Sequence, residues 1–119
     1  MLITLNGSST MSIQAMGNNS GAGALIGIND ATFSGPNENS SVANASGLSI
    51  SAPNGGYAGF LIGINNDTFQ GRGKTYTLNA SIGNCENSAE APENQVIGSN
   101  NGTHKNYYYK ISGVTYHIT

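Results

Sequence analysis

The sequence predicts an all-β domain: an antiparallel β-sandwich, jelly-roll or Ig-like, of about seven to nine short strands. Three observations carry that expectation. Apolar and polar residues alternate with period two along much of the chain, most cleanly over Thr75–Ile82 and Val114–Thr119. Nowhere do apolar residues recur at helical spacing over a long stretch, because Gly and Asn interrupt every candidate. Finally, turn-forming residues punctuate the chain every ~8–12 positions. Its 119 residues fit one domain with one core, spanning 1–119.

Taken in order, Leu2–Leu5 is a short apolar strand that stops at Asn6-Gly7. Met11, Ile13 and Ala15 alternate with Ser12, Gln14 and Met16. Next comes a segment, Ala22 to Gly35, that recurs as Ala58 to Gly71 at an offset of 36, with ten of fourteen positions identical. Two copies are too few for a solenoid, which needs about three repeats to cover its faces, so each copy reads as a hairpin within one domain. In this reading Leu-Ile-Gly-Ile is one strand, Asn and its neighbour form the turn, and Thr-Phe begins the return. Leu48 and Ile50 mark a strand between Gly47 and Pro53. Over Thr75–Ile82, Tyr76, Leu78, Ala80 and Ile82 share the buried face. Asn84–Gln95 carries Glu86, Glu90 and Glu93 beside Pro92 and reads as an exposed loop with at most one helical turn. The chain ends in a hairpin whose two-residue turn is Ser112-Gly113.

Composition excludes several roles. Charged residues make up 8% of the chain against a usual ~25%, whereas Gly, Asn, Ser and Thr together supply 57 positions. Only Arg72, Lys74, Lys105 and Lys110 are basic, too few to neutralise a nucleic-acid backbone or hold an anionic membrane surface. No apolar run is long enough to span a bilayer, and the N-terminus lacks the positive flank of a signal peptide. Cys85 is the only cysteine and reads as a small, partly buried hydrophobe.

Catalytic chemistry finds no foothold, so the expected chain is not an enzyme and needs neither cofactor nor metal. His117 falls on the polar face of the last strand and His104 in a Gly/Asn loop, both as solvent-exposed spectators. The three loop glutamates lack the oxygen density of a calcium site. Asp30 and Asp67 serve as turn formers at the corners of the repeats. Seven Asn-X-Ser/Thr triplets, starting at Asn6, Asn18, Asn39, Asn44, Asn66, Asn79 and Asn101, exceed the roughly three that composition alone supplies and mark glycosylation candidates. Tyr57, Tyr76, Tyr116 and the cluster Tyr107-Tyr108-Tyr109 stand out; alternation puts Tyr108 on the opposite face from Tyr107 and Tyr109, so at least one of the cluster points at solvent or a partner. An outward tyrosine beside Asn-rich loops suits a sugar ring or a subunit interface.

The order of Thr4-Leu5, Asn18-Asn19-Ser20-Gly21, the hairpin ending Asn29 to Gly35, the second around Asn65, and Ile97 to Thr103 leading into Asn106-Tyr107 resembles the bacterial calcium-mediated fucose/mannose-binding lectins. That resemblance implies a β-sandwich with sugar bound at the loop after Gly98-Ser99. The family's loop is rich in acids that hold calcium; here Asn100 to Tyr109 contains none and places Lys105 among them, which repels a dication. The expected function is therefore lectin-like carbohydrate recognition without metal, through Asn100, Asn101, Thr103, His104, Asn106 and Tyr108. The alternative is a structural subunit of a virion, pilus or surface filament, paired through an edge strand. The expected partners are a glycan or copies of the chain itself in a homo-oligomer, in an extracellular, cell-surface or virion setting.

Overall fold

The 36-residue repeat sets the architecture, though not as two hairpins. Ile26 lies beside Ile62, Ile28 beside Ile64 and Asn29 beside Asn65, each residue of one copy against its own counterpart in the other, in parallel register. The chain winds in successive coils stacked on one another. The structure is a computed structural model that describes residues 2–5, 11–44, 47–87 and 92–119.

The first coil contains β2 (Met11–Gln14), β3 (Gly21–Gly23), β4 (Ile26–Asn29), β5 (Phe33–Ser34) and β6 (Ser40–Asn44), after the short N-terminal β1 (Leu2–Leu5). The second contains β7 (Leu48–Ser51), β8 (Tyr57–Gly59), β9 (Ile62–Asn65) and the long β10 (Thr68–Asn79). The third contains β11 (Ser81–Ile82), the one-turn helix α1 (Pro92–Val96), β12 (Ile97–Asn100) and β13 (Thr103–Ile111), and β14 (Val114–Ile118) closes the chain. Each side of one coil pairs in parallel with the same side of the next: β2 with β7 and β7 with β11, β3 with β8, β4 with β9 and β9 with β12, β5 and β6 with β10, and β10 with β13. The N-terminal β1 also joins β6 in parallel.

Only β13 and β14 pair antiparallel among the described strands, so the domain is all-β but the expected antiparallel sandwich is corrected. The reason is physical. Period-two alternation reports which face of a strand is buried and says nothing about which strand lies beside it. In the repeats, Thr-Phe does not fold back on Leu-Ile-Gly-Ile; it turns the corner at Asn and continues along the next side of the coil. The solenoid becomes possible because a third copy is present. Ile97-Gly98, Asn100-Asn101 and Thr103 occupy the places of Ile62-Gly63, Asn65-Asn66 and Thr68, now 35 residues on.

Several expectations hold. Leu48, Ile50, Tyr76 and Leu78 are buried, with Ile13, Ala80, Ile82 and Cys85 packed partly against them. The terminal hairpin has its two-residue turn: Ile111 pairs with Val114, and Ser112 and Gly113 take φ of 51° and 81°, the twist such a turn needs. Tyr107 and Tyr109 are buried while Tyr108 is 38% exposed. The acidic segment forms α1 near its end; Glu90 lies outside the described residues. No helix among the described residues is long and apolar enough to cross a membrane.

The core fills the inside of the coils with Val42, Leu48, Ile50, Leu61, Ile62, Val96 and Ile97, none more than 2% exposed. An aromatic column runs through it. Phe33 stacks on Phe69 at 6.0 Å, and Phe69 meets Tyr107 edge-on at 5.3 Å. Gly63, inside β9, shows why that position is glycine: a Cβ there would sit 2.5 Å from the Ala22 nitrogen and 2.7 Å from the Gly21 Cα, so no larger residue lets β3 and β9 approach.

Candidate functional site

Asparagine at the coil corners builds two ladders. Inside, Asn29 donates through Nδ2 to Asn65 Oδ1 at 2.8 Å, and Asn65 donates through Nδ2 to Asn100 Oδ1 at 2.8 Å. Asn65 is fully buried, and its Nδ2 also reaches the carbonyls of Asp67 and Thr103, both at 3.1 Å. It thereby adds a side-chain donor to two backbone carbonyls at the tight corner. Outside, one residue further along each corner, Asn66 donates to Asp30 Oδ1 at 2.8 Å and Asn101 donates to Asn66 Oδ1 at 2.9 Å. Asp30 keeps its expected place at a corner, where it is the bottom rung of this outer ladder.

Both ladders end at the third coil, where β12 pairs only with β9 among the described strands. There the residues enclose a polar cup of about 410 Å³, lined by Tyr57 from β8, Glu93 and Asn94 from α1, Ser99 and Asn100 from β12, and Asn101 and His104 beyond it. Ile97 and Gly98 complete its lining. A larger, shallower cleft of about 510 Å³ crosses the outer sheet, between Thr75 and Thr77 of β10 and Lys110 of β13. It has hydroxyls and a lysine but no aromatic side chain in its walls.

His104 corrects the expectation of an exposed spectator. Its side chain is only 10% exposed, with Nε2 2.8 Å from Glu93 Oε1 and Nδ1 2.6 Å from the Tyr107 hydroxyl. The cause lies in the register: His104 pairs with Phe69, which pairs with Phe33, so the third coil places histidine in a column that elsewhere holds phenylalanine. Burial pulls the imidazole below its ordinary pKa, opposed by the Glu93 carboxylate. A neutral ring that donates from Nε2 to Glu93 and accepts at Nδ1 from Tyr107 satisfies all three groups.

Tyr107 is fully buried, and desolvation raises its phenol well beyond the ordinary tyrosine range. Among the described residues no three His, Cys, Asp or Glu side chains converge as metal ligands. What the cup offers is hydrogen bonding around an aromatic edge: one carboxylate, several amides, two hydroxyls and an imidazole held in place.

Of the residues expected from sequence, Asn100, Asn101 and His104 come together in the cup. Thr103 sits beside it, its backbone held by Asp67 and Asn65. Asn106 and Tyr108 lie elsewhere. Asn106 has a positive φ of 61° at the register shift where β13 passes Arg72 and Gly73. Tyr108 stacks on His117 at 4.3 Å on the outer sheet face. Tyr57, Glu93, Asn94 and Ser99 also line the cup and are not among the six ligand-binding residues expected from the sequence. Only recognition of a third repeat would have brought α1 and β12 beside β8. Set against protein-family models, curated proteins and solved structures, the chain matches none.

Proposed function

We propose that the chain is a non-enzymatic, extracellular carbohydrate-binding module that holds its ligand in the cup without metal. The observation that carries this reading is the convergence of Tyr57, Glu93, Asn94, Asn101 and His104 in one polar cavity on a rigid stack. Sugar hydroxyls need donors and acceptors fixed in direction, and here the ladders and the Glu93–His104–Tyr107 chain supply that pre-organisation. Tyr57 adds a flat apolar surface with a polar rim. A glycan array run with and without chelator tests it. Binding that survives chelator and falls in Tyr57→Ala but not in Tyr108→Ala supports the cup, whereas binding lost in Tyr108→Ala alone moves the site to the outer sheet.

A second reading, a structural subunit of a virion, pilus or filament, is favoured by β14. This outer strand, Val-Thr-Tyr-His-Ile, has neither proline nor lysine, and pairs on one side only among the described strands. Light scattering separates the two: a discrete monomer or dimer that binds sugar supports the module, and an open-ended assembly that binds none supports the subunit.

A further inference from the structure

The outer ladder has a direction, and the direction follows from a single residue. Asp30 carries no proton to give, so Asn66 must turn its Nδ2 toward it and its Oδ1 toward the third coil. Asn101 answers with its own Nδ2, which leaves its Oδ1 outside that bond, on a residue that lines the cup. A carboxylate two coils away thus sets which end of an amide faces the ligand. Glu93 adds to the same bias. Among the described residues it is the only carboxylate lining the cup; Oε1 accepts from His104, and no donor among them reaches Oε2. Among the described residues the lining contains no lysine or arginine. The Asn101 Oδ1 and the Glu93 carboxylate, both on residues that line the cup, are therefore both acceptors.

We propose that the ligand of the cup is a cationic sugar, whose ammonium group sits between Glu93 and Asn101, and that sugars bearing carboxylates are excluded. This rests on the cup being a glycan site. An ammonium supplies three donors and the opposite charge, matching two acceptors that a neutral hydroxyl satisfies only in part and a carboxylate opposes. Asp30 acts as a positioning residue for Asn101.

The test uses the intact chain and three otherwise identical glycosides whose sixth carbon bears an amine, a hydroxyl or a carboxylate, titrated by calorimetry near neutral pH. The amine should bind about tenfold more tightly than the hydroxyl form and the carboxylate weakest, with the amine's advantage shrinking as salt rises. Glu93→Gln should remove most of that advantage. Asp30→Asn, which copies the residue at the matching corner of the other coils, should reduce it about twofold to threefold without loss of fold, because an amide at the bottom rung lets the ladder run in either direction. Equal affinity for all three forms, or preference for the carboxylate, overturns the cationic selectivity while leaving the glycan site standing. Failure of all three to bind, with the fold intact by circular dichroism, overturns both.

Discussion

Replacing Asn65 by alanine should cost the fold about 3 kcal/mol. The side chain is fully buried and engages four groups: it accepts from Asn29 and donates to Asn100 Oδ1 and to the carbonyls of Asp67 and Thr103. Not all four are orphaned by its removal. Asn29 retains a longer contact to the Thr68 carbonyl at 3.3 Å, Asp67 still accepts from the Thr103 nitrogen, and Asn100 is exposed to water. Part of the Asn29 amide remains unpaired in the buried corner, the Thr103 carbonyl loses one donor, and a small cavity opens. At about 1 kcal/mol per lost bond and about 1–3 for a stranded polar group, the sum is roughly 3 kcal/mol, or ~10 °C in Tm for a chain of this size. Asn65→Asp should be worse at neutral pH, since a carboxylate keeps the bond from Asn29 but faces three acceptors, and acid should relieve part of the loss. Asn66→Ala, in the exposed outer ladder, should cost under ~1 kcal/mol. Urea denaturation of the three variants checks this. An Asn65→Ala cost below ~1 kcal/mol, or an aspartate milder than alanine at neutral pH, would show that the inner ladder does not hold the corners.

Three further outcomes follow from the packing and the buried titratable groups. Gly63→Ala should destabilise by about 2–3 kcal/mol because its Cβ meets backbone at 2.5 Å, while Gly113→Ala, with open space but φ of 81°, should cost only ~1 kcal/mol; thermal melts compare them. Because burial lowers the folded pKa of His104, the unfolded chain binds the proton more readily, and stability should fall as pH drops below ~6.5; His104→Gln should flatten that slope in pH-dependent denaturation. Desolvation pushes Tyr76 up to about 12 and Tyr107 further, so an alkaline titration followed by ultraviolet absorbance should show these two silent near pH ~10, with stability declining as pH rises past the unfolded tyrosine value. A full complement of six tyrosines ionising together near pH ~10 while the chain stays folded contradicts that burial.

Local features were legible in the sequence, and long-range partners were not. The terminal hairpin is written in adjacent residues: Ser112-Gly113 provides the turn, and alternation sends Tyr107 and Tyr109 inward and Tyr108 outward. The duplication was equally visible, but an apolar run ending in Asn reads the same whether its partner follows in a hairpin or arrives a full coil later. What decides is the third copy, and it is the least faithful. Ser99 replaces Ile64, Gly102 replaces Asp67 and His104 replaces Phe69. Ser99 and His104 line the cup, where the stack ends, while Gly102 lies against the Asp67 backbone. Asn100, Asn101 and His104 could be singled out because polar residues crowd that stretch. Glu93 could not, since its link to His104 depends on α1 folding against β12.

The central claim, that ligand binds where the two ladders end, is tested most directly by a two-dimensional amide NMR titration with the amino glycoside. Perturbations should gather on the backbone amides of Tyr57, Glu93, Asn94 and Ser99–Asn101 and on the Asn100 and Asn101 side-chain amides, leaving Thr75, Tyr108 and His117 unmoved. Shifts concentrated on that outer sheet face, with the cup silent, would contradict it.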